Sequence, residues 1–193
     1  MFLGNTSIAR CKDENKLNFC FLVPMELVFE DFVFNFIKSN FSKDYKEITK
    51  QKSNLFLADL YVDDNYLGRA FNLRQDIFLK DNEGKVKILD TKYKILNSTD
   101  YPKFGISQSD MYQMTSYAFR GGYKDLLLIY PKSKGIEGNL EYQIKNQFVD
   151  DNVSIKVNTV SFRIEYSKYL NNTCTNDLYK ENDKIIYNEL KIT

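Results

Sequence analysis

Residues 71–94 constrain the fold more than any other stretch of the chain. Phe71 to Lys80 and Lys85 to Lys94 are strand-like runs separated by Asp81-Asn82-Glu83-Gly84, and together they predict a β-hairpin. Side chains alternate faces along a strand, so Asp90 and Lys92 project one way while Leu89, Thr91 and Tyr93 project the other. Closure symmetric about Glu83 sets Asp76 opposite Asp90 on the neighbouring strand. A two-residue slip keeps these groups on one face; a one-residue slip separates them.

The flanking segments predict what packs on this hairpin. Asn18 to Val23 reads as a strand after a loop. Pro24 suits the first turn of a helix, and Glu26 to Lys38 follows as an apolar-rich helical run. Lys43 to Ser53 is polar and reads as a loop or a frayed helical end, and strand patterning begins at Leu55. Ser107 with Asp110 opens a second helix that Gly121-Gly122 ends. Leu126 to Tyr130 is continuously apolar and closed by Pro131, which suits a buried strand. Val153 to Tyr166 offers one or two further strands, and the Asn-rich end from Asn171 carries no clear pattern. This order predicts an α/β fold with a mixed central sheet flanked by helices.

Composition then excludes whole classes of chemistry. The chain has no histidine, which removes Ser-His-Asp hydrolases, Cys-His proteases and His-ligated zinc or nuclease sites. Cys11, Cys20 and Cys174 are odd in number and lack CxxC spacing, so neither a zinc site nor a disulfide framework is expected. Acid–base or metal chemistry must therefore use carboxylates and lysines. With 27 basic and 26 acidic residues, any surface for a polyanion is a local patch. The 193 residues suit one domain with a real core. No run approaches the roughly 18 apolar residues of a membrane span. Met1 to Arg10 lacks the shape of a signal peptide, so the chain reads as cytoplasmic and without a membrane partner.

Three groups of residues could carry chemistry. Asp76, Asp90 and Lys92 converge on one patch of the hairpin, and two carboxylates across a ladder repel by up to about 1 kcal/mol unless neutralised. A divalent cation would neutralise them, since Mg2+ binds through one or two carboxylates, waters and substrate phosphates. Two charged strand ends beside a turn, with Lys92 and Lys94 solvated, is the alternative. Glu30 is the second group. It falls on the apolar side of the first helix among Val33, Phe34 and Ile37, away from Asp31, Asn35 and Lys38. It must find a metal, a catalytic lysine or another buried cation. Third, Gln113, Tyr117 and Arg120 share a face of the second helix opposite Met111, Met114 and Ala118. Either Gln113 and Tyr117 rim the cleft and touch DNA or the metal-bound waters, or the face is merely solvated.

The pieces together resemble the nuclease domain of the McrC family, the endonuclease subunit of McrBC restriction systems, within the PD-(D/E)XK superfamily. The similar segments are Phe21-Leu-Val-Pro-Met-Glu-Leu-Val-Phe-Glu-Asp-Phe-Val33, Arg74-Gln-Asp-Ile77, Ile88-Leu-Asp-Thr-Lys-Tyr-Lys94, Ser109-Asp-Met-Tyr-Gln-Met-Thr-Ser-Tyr-Ala118 and Ile129-Tyr-Pro131. The resemblance implies a PD-(D/E)XK core and Mg2+-dependent hydrolysis of double-stranded DNA, with Mn2+ as a substitute, as in defence against phage. It implies Glu30 as the helix acid, Asp76 as the acid of the PD element, Asp90 and Lys92 as D-x-K, and Gln113 and Tyr117 as Gln-x-x-x-Tyr. Asp76, Asp90, Glu30 and the Thr91 backbone carbonyl would be the metal ligands. Residues 1–20 are then a short amino-terminal extension and residues 21–193 the nuclease domain.

The sequence departs from the family in two places. Gln75 stands where the family usually has proline. Only a short segment precedes the first helix, where full-length members carry a region that engages the GTP-hydrolysing McrB partner. No GxxxxGK[ST] signature occurs, so nucleotide hydrolysis is expected of another protein, an McrB-like GTPase. Cutting both strands predicts dimerisation on DNA. Lys94, Lys103, Arg120, Lys132 and Lys134 are candidate phosphate contacts, or plain surface charges. A related nuclease with a repair or exonuclease role is the second reading. A catalytically idle DNA-binding or assembly module is the third.

Overall fold

The computed structural model describes residues 8–13, 16–21, 23–132, 140–145 and 153–160. Strands β1 (Ile8–Asp13) and β2 (Lys16–Phe21) pair antiparallel as a two-stranded sheet of their own. Helix α1 (Met25–Phe41) follows, with Pro24 as its N-cap residue. Then come β3 (Tyr45–Val62), β4 (Asn65–Asp81), β5 (Val86–Thr91), helix α2 (Gln108–Gly121), β6 (Asp125–Pro131), β7 (Leu140–Ile144) and β8 (Val153–Val160). The main sheet has six strands in the order β3-β4-β5-β6-β8-β7. β5, β6 and β8 run parallel, while β3, β4 and β7 pair antiparallel with their neighbours. It is therefore a mixed α/β sheet, with α2 making the crossover between the parallel strands β5 and β6.

The two faces of the sheet carry separate cores. Ile77 and Leu79 of β4, Leu89 of β5, and Leu127 and Ile129 of β6 pack with Phe29, Val33, Phe36, Ile37 and Phe41 of α1. The alternate residues Phe78, Ile88, Leu126, Leu128 and Tyr130 pack with Met114, Tyr117 and Ala118 of α2 and with Ile155 and Val157 of β8. Every residue from Leu126 to Tyr130 is buried, which is why that strand reads as an unbroken apolar run. Each such side chain contributes about 1.5–3 kcal/mol by burial. Among the described residues no helix is long and apolar enough to cross a membrane.

The 71–94 hairpin closes as expected. Its register runs Lys80↔Val86, Leu79↔Lys87, Phe78↔Ile88 and Ile77↔Leu89, symmetric about Glu83. Lys85 N donates to Asp81 Oδ1 at 2.8 Å, and Gly84 takes a φ of 91° that a side chain would resist. The second strand is shorter than expected. It ends at Thr91, and Lys92 leaves the hairpin ladder, its N–H donating instead to the Ile129 carbonyl at 2.9 Å.

One expectation fails outright. After a turn at residues 42–44, residues 45–53 are not a loop or a helical end, because Tyr45 opens an 18-residue strand that forms one edge of the sheet. Its polarity is that of an edge, where charged side chains block further pairing. Lys50 reaches across to Asp31 and Glu30 of α1. Lys52 bridges Glu47 at 2.8 Å and lies over the Phe78 ring at 3.3 Å. The far end of β3 turns into β4 through Asp63 and Asp64, both at positive φ, a two-residue hairpin turn. The Asn171 segment and the far end of the 153–166 run lie outside the described residues.

Candidate active site at the strand ends

The site forms where β4 and β5 stop pairing. Continuing the Ile77↔Leu89 register by one step sets Asp76 and Asp90 opposite each other. Asp90 shares the α2 face with Ile88 by alternation. Asp76 is anchored through one oxygen: the Thr91 N–H and hydroxyl both donate to Oδ2, at 2.8 and 3.0 Å. Thr91 thus orients the acid beside it, a role the sequence reading did not give it.

Asp90 is fully buried, and its Oδ1 has no hydrogen-bond partner. Its one counter-charge is the Lys92 ammonium, in ion-pair contact with Oδ2. Burial first, and then the charge of Asp76, push the Asp90 carboxyl well above the ordinary carboxylate range, and Lys92 only partly offsets them. Burial works against the Lys92 ammonium too, but Asp90, with Asp76 and Asp110, outweighs it and holds the lysine pKa above its usual value.

Lys92 is held from its other side by α2. Its Nζ donates to Gln113 Oε1 at 3.0 Å, Gln113 Nε2 donates to the Tyr117 hydroxyl at 2.7 Å, and that hydroxyl donates to the Arg74 carbonyl at 2.5 Å. This corrects the reading of the helix face. Tyr117 does not rim the cleft opposite Met114 and Ala118; it is buried with them, because its hydroxyl finds partners inside. Burial and the Asp90 charge keep its phenol protonated and able to donate.

Glu30 is buried on α1. Its Oε1 accepts from Gln51 Nε2 at 3.1 Å and lies 3.6 Å from Lys50 Nζ. Burial, and next the Asp76 charge, raise its pKa, so it lies within electrical reach of the β4 acid. The cation partner that sequence reasoning required of it is Lys50, which it shares with Asp31. Among the described residues no three acid or thiol side chains close into one metal-holding group. The arrangement that fits a cation is narrower. It consists of the unmet Oδ1 of Asp90, beside the Lys92 ammonium on its Oδ2, and the Asp76 carboxylate, one oxygen of which is tied to Thr91.

The proposed phosphate contacts divide. Lys94 is engaged, because its Nζ meets both oxygens of buried Asp110 at 3.0 Å, with the Tyr130 hydroxyl donating to Oδ2 at 3.3 Å. Arg120 is exposed but its Nε donates to the Phe56 carbonyl at 2.8 Å. Lys103 and Lys132 are exposed, and Lys134 lies outside the described residues. Burial would raise Asp110, but the Ser107 hydroxyl and Lys94 outweigh it and hold its carboxyl below the ordinary value. Its contribution is thus present above the unfolded carboxylate pKa and lost as pH falls through the depressed one. Lys94→Ala is expected to cost about 1 kcal/mol at pH 7, screened by the half-exposed lysine, and less in acid. Urea unfolding at both pH values checks this, and a pH-independent difference would count against the pairing.

Fold and site together define a mixed α/β domain with an acid–acid–lysine site at a strand end, braced by a Gln-x-x-x-Tyr helix. The chain belongs to the McrBC family: the family model for McrBC 5-methylcytosine restriction system components matches residues 1–131. No curated protein matches. A chain of the refined half-complex from the tetradecameric assembly of Thermococcus gammatolerans McrB AAA+ hexamers with bound McrC has a similar fold, with a TM-score of 0.56 and 14% identity. The likeness covers 88% of this chain and 34% of that one, so this chain spans about a third of its length. The McrC resemblance carried by the motifs is thereby upheld.

Proposed function

We propose that this chain is the DNA-cleaving subunit of an McrBC-type restriction system, a Mg2+-dependent endonuclease with a PD-(D/E)XK core. The observation that carries the reading is Asp90, a fully buried carboxylate whose Oδ2 meets the Lys92 ammonium while its Oδ1 meets no donor, set across from Asp76. A buried charge left in this state is costly unless something else completes it. Asp76 and Asp90 would hold Mg2+ or Mn2+, with the Thr91 carbonyl as a further oxygen and Glu30 on the α1 side. When bound, the cation supplies Lewis acidity at the scissile phosphate.

The chain's own groups do the rest. Lys92, held between Asp90 and Gln113, acts as a fixed cation toward the charge that grows on the phosphate. Gln113 and Tyr117 hold that ammonium in place through the Arg74 carbonyl. Thr91 holds Asp76. The substrate is double-stranded DNA carrying 5-methylcytosine, and the nucleotide-hydrolysing partner is an McrB-like subunit. Two copies act together to cut both strands, and the setting is the cytoplasm.

The test is a plasmid assay with the purified chain in Mg2+, Mn2+ or EDTA, on methylated and unmethylated DNA, with and without an McrB-like subunit. Metal-dependent nicked and linear products are expected, favoured by methylation when the partner is present. Shortening from free ends alone would favour an exonuclease. DNA binding without cutting under every condition would favour an idle binding module.

A further inference from the structure

Gln51 sits within β3 with a backbone φ of 52°, in the left-handed region that a side chain resists. Residues of this kind usually serve turns or bulges, as Asp63 and Asp64 serve the β3–β4 turn. Gln51 serves neither. The pairs on either side of it, Lys50↔Ile77 and Lys52↔Gln75, keep one register, and the shifts in β3 fall before Glu47 and after Lys52. Gln51 therefore stands level with Asp76 of β4, with no inserted residue for its twist to absorb. Strain kept where the ladder does not need it points to what it does for the side chain.

Neighbours along a regular strand point to opposite faces. Here two consecutive side chains reach the same helix. Lys50 Nζ pairs with Asp31 and lies 3.6 Å from Glu30 Oε1, and Gln51 Nε2 donates to that same Oε1 at 3.1 Å. Lys52 goes elsewhere, to Glu47 and over the Phe78 ring. The left-handed step at Gln51 is what brings its amide round to α1. Lys50 is divided between two acids; the Gln51 amide is given to Glu30.

The three acids then share one pattern. Thr91 ties Oδ2 of Asp76, Lys92 meets Oδ2 of Asp90, and Gln51 with Lys50 ties Oε1 of Glu30. Each is held by one oxygen and offers the other. Glu30 lies within electrical reach of Asp76. It does not close with Asp76 and Asp90 into one metal-holding group. Mg2+ keeps several of its waters when protein-bound, so an acid at this remove meets it through one of them.

We propose that Gln51 is a positioning residue that fixes one oxygen of Glu30 and so presents the other to the hydration shell of the divalent cation at Asp76 and Asp90. This rests on the metal-dependent reading above. Gln51 touches neither DNA nor the cation; it acts through Glu30.

Mn2+ alone is the probe, titrated calorimetrically into the full chain, alongside metal-free thermal unfolding. Gln51→Gly, which accepts the left-handed backbone freely, and Gln51→Met, which keeps the bulk, are each expected to weaken Mn2+ binding about 10-fold. Glu30→Gln should weaken it at least as much, and adding Gln51→Gly to it should cost nothing further, because both act through one carboxylate. A glutamine that merely props β3 against α1 predicts lowered stability with unchanged affinity. Unchanged affinity in either folded variant, or losses that add in the double variant, overturns the assignment. Absence of Mn2+ binding by the unaltered chain overturns the metal reading itself, so the two failures are told apart.

Discussion

Lys92→Met is expected to slow metal-dependent DNA cleavage by about 10³-fold and to cost the metal-free fold about 3 kcal/mol at neutral pH. The rate effect follows from removing a fixed cation whose charge Asp90, Asp76 and Asp110 secure. The stability effect follows because Asp90 is fully buried and loses its one counter-charge. Its pKa already lies above the unfolded value through burial and Asp76, so ionisation destabilises the fold as pH rises through the window between the two values. The stability penalty should therefore shrink as pH falls. The double variant Lys92→Met/Asp90→Leu removes both charges and should recover most of the stability and none of the cleavage. A single variant as stable as the parent at pH 7, by urea unfolding, would show that the pair is not an energetic centre.

Asp76→Asn should abolish cleavage to below about one part in 10³ yet leave the metal-free chain slightly more stable at pH 7. The amide oxygen can still accept from the Thr91 N–H and hydroxyl, so the local geometry survives. What disappears is a negative charge that raises both Asp90 and Glu30. With it gone, both carboxyls drop toward ordinary values and ionise at neutral pH with less strain. An acid kept for stability would show the reverse. If Asp76→Asn lowers the melting temperature while cleavage persists, the acid belongs to the scaffold and the proposed site is wrong.

The hairpin was legible because a period of two and a glycine-ended turn leave few ways to close it, and the register falls as the residues dictate. The fate of each polar group was not. Helical periodicity set Glu30 on the apolar side of α1, but nothing in the sequence connects it to Lys50 and Gln51, which arrive on a strand mistaken for a loop. That strand was missed because its lysines are held by acids, Lys50 by Asp31 of α1 and Lys52 by Glu47 of the same strand, and periodicity does not register such partners. Tyr117 was misread for a related reason. A polar tip suggested a wet face, while the ring belongs to the core and the hydroxyl is satisfied by Gln113 and by a backbone carbonyl 43 residues away. Asp110 was seen as a helix opener; its capture of Lys94 became visible only in three dimensions.

The path from Asp90 through Lys92, Gln113 and Tyr117 to the Arg74 carbonyl joins three stretches of chain that meet only once β4, β5 and α2 have docked. No segment of the protein can build the site locally, and its assembly is as cooperative as the domain itself. The free energy needed to lift α2 from the sheet therefore sets the fraction of molecules at any instant that hold a competent lysine. Loosening that helix anywhere along its length would dim the site without touching an acid.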